Sequence, residues 1–231
     1  MVNVHVQSNV ISDFFELSEF AHRALFEGCE YPWDALMHLS SYLKKQKLGK
    51  IETEIPEGVF LNNPSTISIG KGTVVEPGTY IQGPCIIGAN CQVRHGAYLR
   101  GDIITGDHCV IGHATEIKHS ILLNHAAAAH FNYVGDSIVG SHVNLGAGVI
   151  LANLRLDHGN VSVYLGERKI ATELKKLGAI IGDRSQLGCN CVLNPGAILG
   201  KGVLTFPCLH VDGYIPPHAK VKPAQCNVVK K

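Results

Sequence analysis

A six-residue period is the sequence feature that most narrows the folds open to this chain. From Ile67 the sequence divides into the blocks ISIGKG, TVVEPG, TYIQGP, CIIGAN, CQVRHG and AYLRGD. The third residue of each block is branched and apolar, as the following set shows: Ile69, Val75, Ile81, Ile87, Val93 and Leu99. An α-helix repeats about every 3.6 residues and a half-buried strand about every two, so neither produces this pattern.

A period of six predicts three short strands per coil, with a corner after each strand. One branched side chain of each strand points into a narrow interior, and small residues such as Cys85, Cys91 and Cys109 fill the space between. Gly, Asn and Asp near the corners tolerate the positive φ that sharp corners require. The period slips near Ile104 and again near Val134, then resumes, so we expect one continuous solenoid.

This pattern resembles the left-handed parallel β-helix of the hexapeptide-repeat acyltransferases over about two-thirds of the chain. The resemblance implies an all-β fold. We predict a β-helix domain at 51–215, interrupted by a Lys- and Arg-bearing excursion at 154–178. The Lys-rich tail at 216–231 is expected to leave the solenoid after the Pro216–Pro217 pair.

The first 50 residues have a different composition. Two stretches carry apolar residues at helical spacing, at 14–26 and from Pro32 to Leu43. We predict two short amphipathic helices, a hairpin that forms a head at 1–50. Such a head buries too little surface alone, so it should cover the first coil of the solenoid or a neighbouring molecule.

Composition excludes several classes of protein. The 20 Lys and Arg against 19 Asp and Glu give a formal charge of +1, so no basic field recruits nucleic acid or an anionic membrane. No membrane span or signal peptide is visible, which predicts a cytoplasmic protein with its 8 cysteines reduced. The Cys189 and Cys191 pair is too closely spaced for a structural zinc site, and we predict no metal.

His130 is the histidine best placed for chemistry. It follows four alanines in AAAAHFNYVGD, where missing bulk leaves room for a ligand. A neutral imidazole can accept a proton from an amine near pH 7. Glu116 lies 14 residues earlier, about one coil back, so we expect it to contact and orient the His130 ring.

The stretch from Arg100 to Asn153 is similar to the acetyltransferase domain of the bifunctional enzymes that make UDP-N-acetylglucosamine. That family carries V-G-N-F-V-E-x-K, G-H-x-x-Y-x-G-D and V-N-I-G-A-G motifs, matched here without a gap. The resemblance implies that His130, Glu116 and Asn144 are catalytic. It also implies an amino-sugar phosphate as acceptor, with glucosamine-1-phosphate as the first candidate. The residues implied to bind it are Arg100, Lys118, Tyr133, Asn153 and, beyond the excursion, Lys176.

The same resemblance implies acetyl-CoA as cosubstrate and a homotrimer that completes each site between subunits. It places coenzyme contacts at Cys189 and Pro207, with Lys201 or the tail lysines meeting the phosphates. Two positions depart from the family pattern, because Leu154 replaces a Tyr and Cys189 replaces a Ser. No Gly-rich nucleotide loop precedes the repeat, so uridylyl transfer is not expected from these residues.

Two other functions remain open at the level of sequence. The γ-class carbonic anhydrases use the same fold and bind metal through histidines, and this chain spaces two histidine sets about one coil apart: His95, His113, His130 and His108, His125, His142. A non-catalytic β-helix scaffold is the other alternative, since fold alone does not decide function.

Overall fold

Three parallel sheets enclose the body of the molecule in the computed structural model, which describes residues 11–223. Face I comprises β1 (Phe60–Asn62), β4 (Tyr80–Gln82), β7 (Tyr98–Leu99), β10 (Glu116–Lys118), β13 (Tyr133–Gly135), β16 (Ile150–Leu151), β21 (Val192–Leu193) and β24 (His210–Val211). Face II comprises β2 (Ile67–Ile69), β5 (Cys85–Ile87), β8 (Ile103–Thr105), β11 (Ser120–Leu122), β14 (Ile138–Val139), β19 (Ala179–Ile181), β22 (Ala197–Leu199) and β25 (Tyr214–Ile215). Face III comprises β3 (Val74–Val75), β6 (Gln92–Val93), β9 (Val110–His113), β12 (Ala127–His130), β15 (Asn144–Leu145), β20 (Gln186–Leu187), β23 (Leu204–Thr205) and β26 (Lys220–Val221).

The chain visits the three faces in turn, and each strand pairs in parallel with the equivalent strand one coil away. Ile67 pairs with Cys85, Ile104 with Ile121 and Ile198 with Tyr214. The coil therefore shortens along the solenoid, which explains why the sequence period slips near Ile104. A short 3₁₀ helix, η2 (Pro64–Thr66), makes one early corner.

The interior confirms the predicted inward positions. All six branched residues of the opening blocks are buried in one continuous core, together with the thiols of Cys85, Cys91 and Cys109. Because these side chains face each other across a narrow triangle, burial of their apolar surface is the main force holding the coils together. The predicted parallel β-solenoid is confirmed.

The N-terminal segment covers the outer surface of face II, and not the first coil as predicted. Face II turns a row of isoleucines outward, all fully buried: Ile104, Ile121, Ile138, Ile180 and Ile198. Phe15, Trp33 and Leu39 pack against this row from the N-terminal side. The segment lies there because this face, unlike the open end of the stack, presents a continuous apolar surface that must leave water.

Only one of the two expected helices is an α-helix. α1 (Asp34–Lys45) matches the second stretch, whereas the first forms turns and the 3₁₀ helix η1 (Arg23–Phe26). In the first stretch, backbone groups bond to the solenoid, since Glu16 N–H donates to the Asp183 carboxylate and Asp183 N–H donates to the Phe14 carbonyl. These bonds replace the local bonds that a helix would need.

The excursion also packs on face II. It contains an antiparallel hairpin of β17 (Ser162–Leu165) and β18 (Arg168–Ala171), and Val161, Val163 and Leu165 join the cluster under the N-terminal segment.

The tail does not leave the solenoid where expected: β26 pairs with β23, so the coils continue beyond Ile215. Pro216 and Pro217 occupy an ordinary corner there. The predictions for 1–10 and 224–231 lie outside the described residues. Within 11–223, no helix has the length and apolar character of a bilayer span.

Candidate active site

Two outward rows of side chains on face I form the floor of the site. Strand pairing places Tyr98, Glu116 and Tyr133 one above another in the first row. Arg100 and Lys118 lie in the second row, followed by Gly135. Adjacent coils are about 4.8 Å apart, so these groups from three successive coils share one small surface.

Arg100 and Glu116 form an ion pair on this surface. Arg100 Nη1 donates to Glu116 Oε1 at 2.7 Å, and the guanidinium lies 5.9 Å from the centre of the Tyr98 ring. The hydrogen bond to Glu116 raises the pKa of Arg100. Both side chains remain partly open to solvent, so the pair is positioned to bind a ligand and contributes little to stability.

Lys118 forms a second, more buried ion pair with a residue that the sequence predictions missed. Its Nζ lies 3.0 Å and 3.3 Å from the two carboxylate oxygens of Asp136. Asn153 Nδ2 donates to the same carboxylate. Asp136 is the aspartate of the G-H-x-x-Y-x-G-D motif, so the sequence already contained an indication of it. The sequence analysis nevertheless explained corner aspartates only by their tolerance of positive φ.

Tyr133 lies between the two ion pairs. Burial raises the pKa of its hydroxyl, and the negative charges of Asp136 and Glu116 raise it further. A Cβ at position 135 would lie 2.6 Å from the Tyr133 hydroxyl and 2.7 Å from Asn153 Nδ2. Glycine at that position therefore leaves the space that both polar groups occupy.

The excursion begins and ends at this cluster. Leu154 and Lys176 form an antiparallel bridge, and Leu177 N–H donates to the Asn153 carbonyl at 3.0 Å. Lys176 is exposed and has no ion-pair partner within 11–223. The backbone of Lys176 thus lies beside Leu154, next to Asn153, and its role in the site stays a prediction.

A cavity of about 590 Å³ continues from the second row toward the late coils. Ala152 and Asn194 line its floor, and Leu154, Leu156 and Tyr164 of the excursion line its wall. The Arg155–Asp157 ion pair, at 2.5 Å, holds the loop that carries Leu156. A ligand larger than one sugar phosphate has room to extend in this direction.

His130 lies at the corner where face III turns into face I. The ring is exposed and makes no hydrogen bond with any residue of 11–223, while Asn132 Oδ1 accepts its backbone N–H at 3.2 Å. The expected contact with Glu116 is absent, because the Glu116 carboxylate turns toward Arg100 of the preceding coil. His130 is therefore an available imidazole whose orientation is not set by Glu116.

The same corner holds two of the predicted coenzyme residues. Backbone bonds from each coil to the one before it define a row: Phe131 N–H to His113, Gly148 N–H to His130, Asn190 N–H to Ala147 and Cys208 N–H to Cys189, all onto carbonyl oxygens at 2.8–3.0 Å. We call this the corner row, and its members are His95, His113, His130, Ala147, Cys189 and Pro207. Small side chains follow His130 along it, and Cys189 and Pro207 are exposed.

Asn144 and Lys201 lie elsewhere. Asn144 is exposed on face III between Ala127 and Gln186, around the corner from Tyr133. Lys201 lies at the corner between faces II and III, where its Nζ donates to the Ser12 carbonyl at 2.6 Å. Lys201 thus contacts the N-terminal segment at a corner away from Cys189 and Pro207.

Lys222, one of the tail lysines that the sequence analysis did not single out, lies next to the corner row. Lys222 Nζ lies 5.6 Å from the centre of the Phe206 ring, next to Pro207. Phe206 is itself exposed and donates its N–H to Val221 at 3.0 Å. The pairing of β26 with β23, which the sequence did not predict, brings this lysine there.

The predicted stacking of histidines holds throughout one set, whereas in the other only His95 and His113 stack and His130 does not join them. His108, His125 and His142 have ring centres 4.7 Å and 4.5 Å apart and nearly parallel planes, beside a cavity of about 520 Å³ at the II–III corner. Burial, followed by the charges of the two neighbouring rings, lowers the pKa of His125. In the part of the chain that the structure describes, no three His, Cys, Asp or Glu side chains are grouped to hold a metal ion.

Comparison with known proteins identifies relatives over most of the chain. The acetyltransferase YaiX of Escherichia coli O6:K15:H31, itself called uncharacterized, is 36% identical over 179 residues, which is 77% of each chain. The bifunctional protein GlmU of Methanococcus maripaludis strain C7 is 37% identical over 202 residues, 87% of this chain and 48% of that one. The chain thus spans less than half the length of the bifunctional relatives.

Two further comparisons concern the fold. The family described as GMPPB C-terminal domain matches residues 81–171. The structure of the UDP-N-acetylglucosamine acyltransferase of Francisella novicida superposes with a TM-score of 0.54 at 17% identity, covering 75% of this chain and 66% of that one. The likeness identifies the solenoid as the left-handed β-helix type.

Proposed function

The chain belongs to the hexapeptide-repeat acyltransferases, and from that premise we propose that it transfers an acetyl group from acetyl-CoA to the amine of an amino-sugar phosphate. Glucosamine-1-phosphate is the first candidate acceptor. The corner row is the observation that carries this proposal. It aligns an available imidazole with a strip of small, exposed residues, directly beside the polar cluster of face I.

The polar cluster suits a phosphorylated sugar. Arg100, Lys118 and Lys176 supply cationic donors, and charge-assisted hydrogen bonds to phosphate are stronger than neutral ones. Arg100 and Lys118 are each paired with a carboxylate, whereas Lys176 has no such partner among the residues that the structure describes. Tyr133 and Asn153 offer a hydroxyl and an amide at the centre of the cluster for sugar hydroxyls.

His130 would act as the general base. As the acceptor nitrogen attacks the thioester carbonyl carbon, a C–N bond forms and the C–S bond breaks. Neutral His130 takes the proton from the amine and returns it to the departing coenzyme A sulfur. This chemistry needs an imidazole that is open to the ligand, and the exposed ring at the corner is open in this way.

Acetyl-CoA would lie along the corner row, with its thioester at His130. Ala147, Cys189 and Pro207 leave space for an extended chain, and the row then reaches Phe206 and Lys222. We assign the coenzyme phosphates to Lys222 in place of Lys201, because only Lys222 lies at this corner.

We also propose a homotrimer. The site on one chain is an open surface, and the His130 ring lacks a partner that fixes its orientation within 11–223. A second copy facing the corner row would enclose the coenzyme and supply that orientation. Light scattering at micromolar concentration should give three times the chain mass, and a stable monomer would contradict this assembly.

The activity is tested by release of free thiol from acetyl-CoA over a panel of amino sugars. Glucosamine-1-phosphate, glucosamine-6-phosphate and unphosphorylated glucosamine are the informative members. We expect turnover that requires both the amine and a phosphate. Thiol release with none of the phosphates, or equal release without acceptor, would remove the proposed reaction.

A further inference from the structure

We propose that Asp136 is a positioning residue of this site, whose carboxylate holds Lys118 and Asn153 in the arrangement that receives the acceptor. The inference rests on the proposed function and deepens it, because it names the group that sets the geometry of acceptor binding. Asp136 touches no reacting atom and acts through its two neighbours.

The geometry gives Asp136 two donors from two different coils. Lys118 Nζ approaches both of its oxygens, at 3.0 Å and 3.3 Å, and Asn153 Nδ2 donates to Oδ2. Lys118 ends a strand of the coil below and Asn153 follows a strand of the coil above. One carboxylate thus connects three successive coils at the polar cluster.

Burial makes this arrangement specific. The Asp136 side chain is only 8% exposed and that of Lys118 21%, whereas the Arg100–Glu116 pair is 41% and 34% exposed. A carboxylate that has lost its water must be satisfied by fixed donors, so its partners lose their freedom. Lys118, otherwise a flexible side chain, is held with its amine at the Asp136 carboxylate.

The backbone at Asp136 is adapted to this role. Its φ is 46°, in the left-handed region that favours Gly, Asn and Asp among the residue types. Asp and Asn are therefore both tolerated at this corner, and the carboxylate is not needed to make the turn. Asn at this position should keep the corner and change only the contacts with Lys118 and Asn153.

Asp102 offers a matched control at the same I–II corner, two coils below. Its φ is 50°, and its carboxylate also has two partners, Ser40 Oγ at 2.9 Å and His119 Nδ1 at 3.6 Å. Those partners belong to the contact with the N-terminal segment, and none is a proposed binding residue. Asp102→Asn thus makes the same chemical change outside the site.

The experiment compares acetyl transfer to glucosamine-1-phosphate by wild type, Asp136→Asn and Asp102→Asn. We expect Asp136→Asn to lower kcat/KM for the acceptor by about tenfold or more while the KM for acetyl-CoA stays within about twofold. Asp102→Asn should leave both values near wild type. Asp136→Glu retains the negative charge but displaces the carboxylate by one methylene. It should also lose activity if the position of the carboxylate, and not its charge alone, is required.

A double-substitution cycle separates positioning from general damage. If Asp136 acts through Lys118, Asp136→Asn should have little additional effect in a Lys118→Ala background. Provided that the wild type is active, two outcomes would overturn the inference. One is that the activity losses of Asp136→Asn and Lys118→Ala multiply in the double variant, and the other is that Asp136→Asn is as active as Asp102→Asn. Should Asp136→Asn fail to fold by circular dichroism, Asp136→Glu decides by the same comparison, with near-native activity counting against positioning. Wild-type inactivity on every amino-sugar phosphate would instead overturn the proposed function, and this inference with it.

Discussion

Face I and face II share one backbone pattern and differ in what they turn outward. Every outward isoleucine of face II, from Ile104 to Ile198, is fully buried beneath the N-terminal segment and the excursion. Face I turns out Tyr98, Glu116 and Tyr133, of which Tyr98 is 41% exposed. On both faces the inward residues build the core of the solenoid. The outward residues make the difference: those of face II stabilise the fold by packing against other segments, and those of face I stay open to a ligand. Four predictions test that division.

The largest effect should come from the exposed corner beside face I. His130→Ala is expected to reduce kcat by roughly 10²–10⁴-fold, because it removes the base that accepts the amine proton. The melting temperature should not change, since the ring makes no hydrogen bond within 11–223. His125→Ala, another exposed corner histidine, is the control and should retain wild-type turnover. Near-native turnover by His130→Ala would place the base elsewhere.

Face II should respond in the opposite way. Leu39 is fully buried between α1 and the isoleucine row, so Leu39→Ala should lower the free energy of unfolding by about 2–5 kcal/mol. The turnover of the folded fraction should be unchanged. Met37 lies on the same helix and is 52% exposed, and Met37→Ala should cost about 0.5 kcal/mol or less. Urea titration measures both. Equal losses would mean that α1 does not pack as described.

Acid should weaken the contact between the N-terminal segment and the solenoid. The neighbouring imidazole of His119, and then the hydrogen bond from Ser40, lower the pKa of Asp102 below its ordinary value. A carboxylate with a lowered pKa in the folded state stabilises above its unfolded pKa of about 4, and this stabilisation is lost as the pH falls through the folded value. The difference in melting temperature between wild type and Asp102→Asn should therefore be largest at pH 7 and shrink toward pH 3. A difference that grows on acidification would contradict this sign.

The smallest effect concerns two lysines on different corners. Lys222→Ala should raise the KM for acetyl-CoA by about two- to fivefold, the scale of one exposed ionic contact. Lys201→Ala should leave that KM unchanged, because Lys201 is bonded to the Ser12 carbonyl at the II–III corner. Initial rates at varied acetyl-CoA concentration distinguish the two. The reverse ranking would restore the role first expected of Lys201.

The period of six was enough to predict the coils and the core, whereas the residues of the polar cluster were implied by the family resemblance and not by the period. Three strands per coil place Arg100 one coil before Lys118, as the structure has it. The coil after Glu116 is one residue shorter, so Glu116 stacks beneath Tyr133 and not beneath Val134, where a strict period of six would put it. The absence of a gap between Arg100 and Asn153 preserves these rows. Local repetition therefore specifies contacts between residues that are one coil apart.

Contacts outside the repeat could not be predicted in the same way. The position of the N-terminal segment depends on the outward isoleucines of face II. The six-residue pattern constrains only the inward position of each block and does not predict these outward residues. The Glu116 carboxylate had two basic residues within plausible reach, and only the side-chain geometry shows that it pairs with Arg100 and not with His130. Lys222 was not singled out because the tail was expected to leave the solenoid before β26.

The bridge between Leu154 and Lys176 has a consequence for how such a scaffold can change. The excursion leaves and re-enters the coil at adjacent points, and face I resumes its register immediately, with Leu151 paired to Leu193. A segment inserted there can be lengthened, shortened or exchanged without moving a single coil. Because it forms one wall of the cavity next to Asn194, each exchange reshapes that space. The apolar side chains that the excursion packs on face II, Val161, Val163 and Leu165, are the part that has to be kept, whereas its exposed wall can diversify while the coils stay fixed.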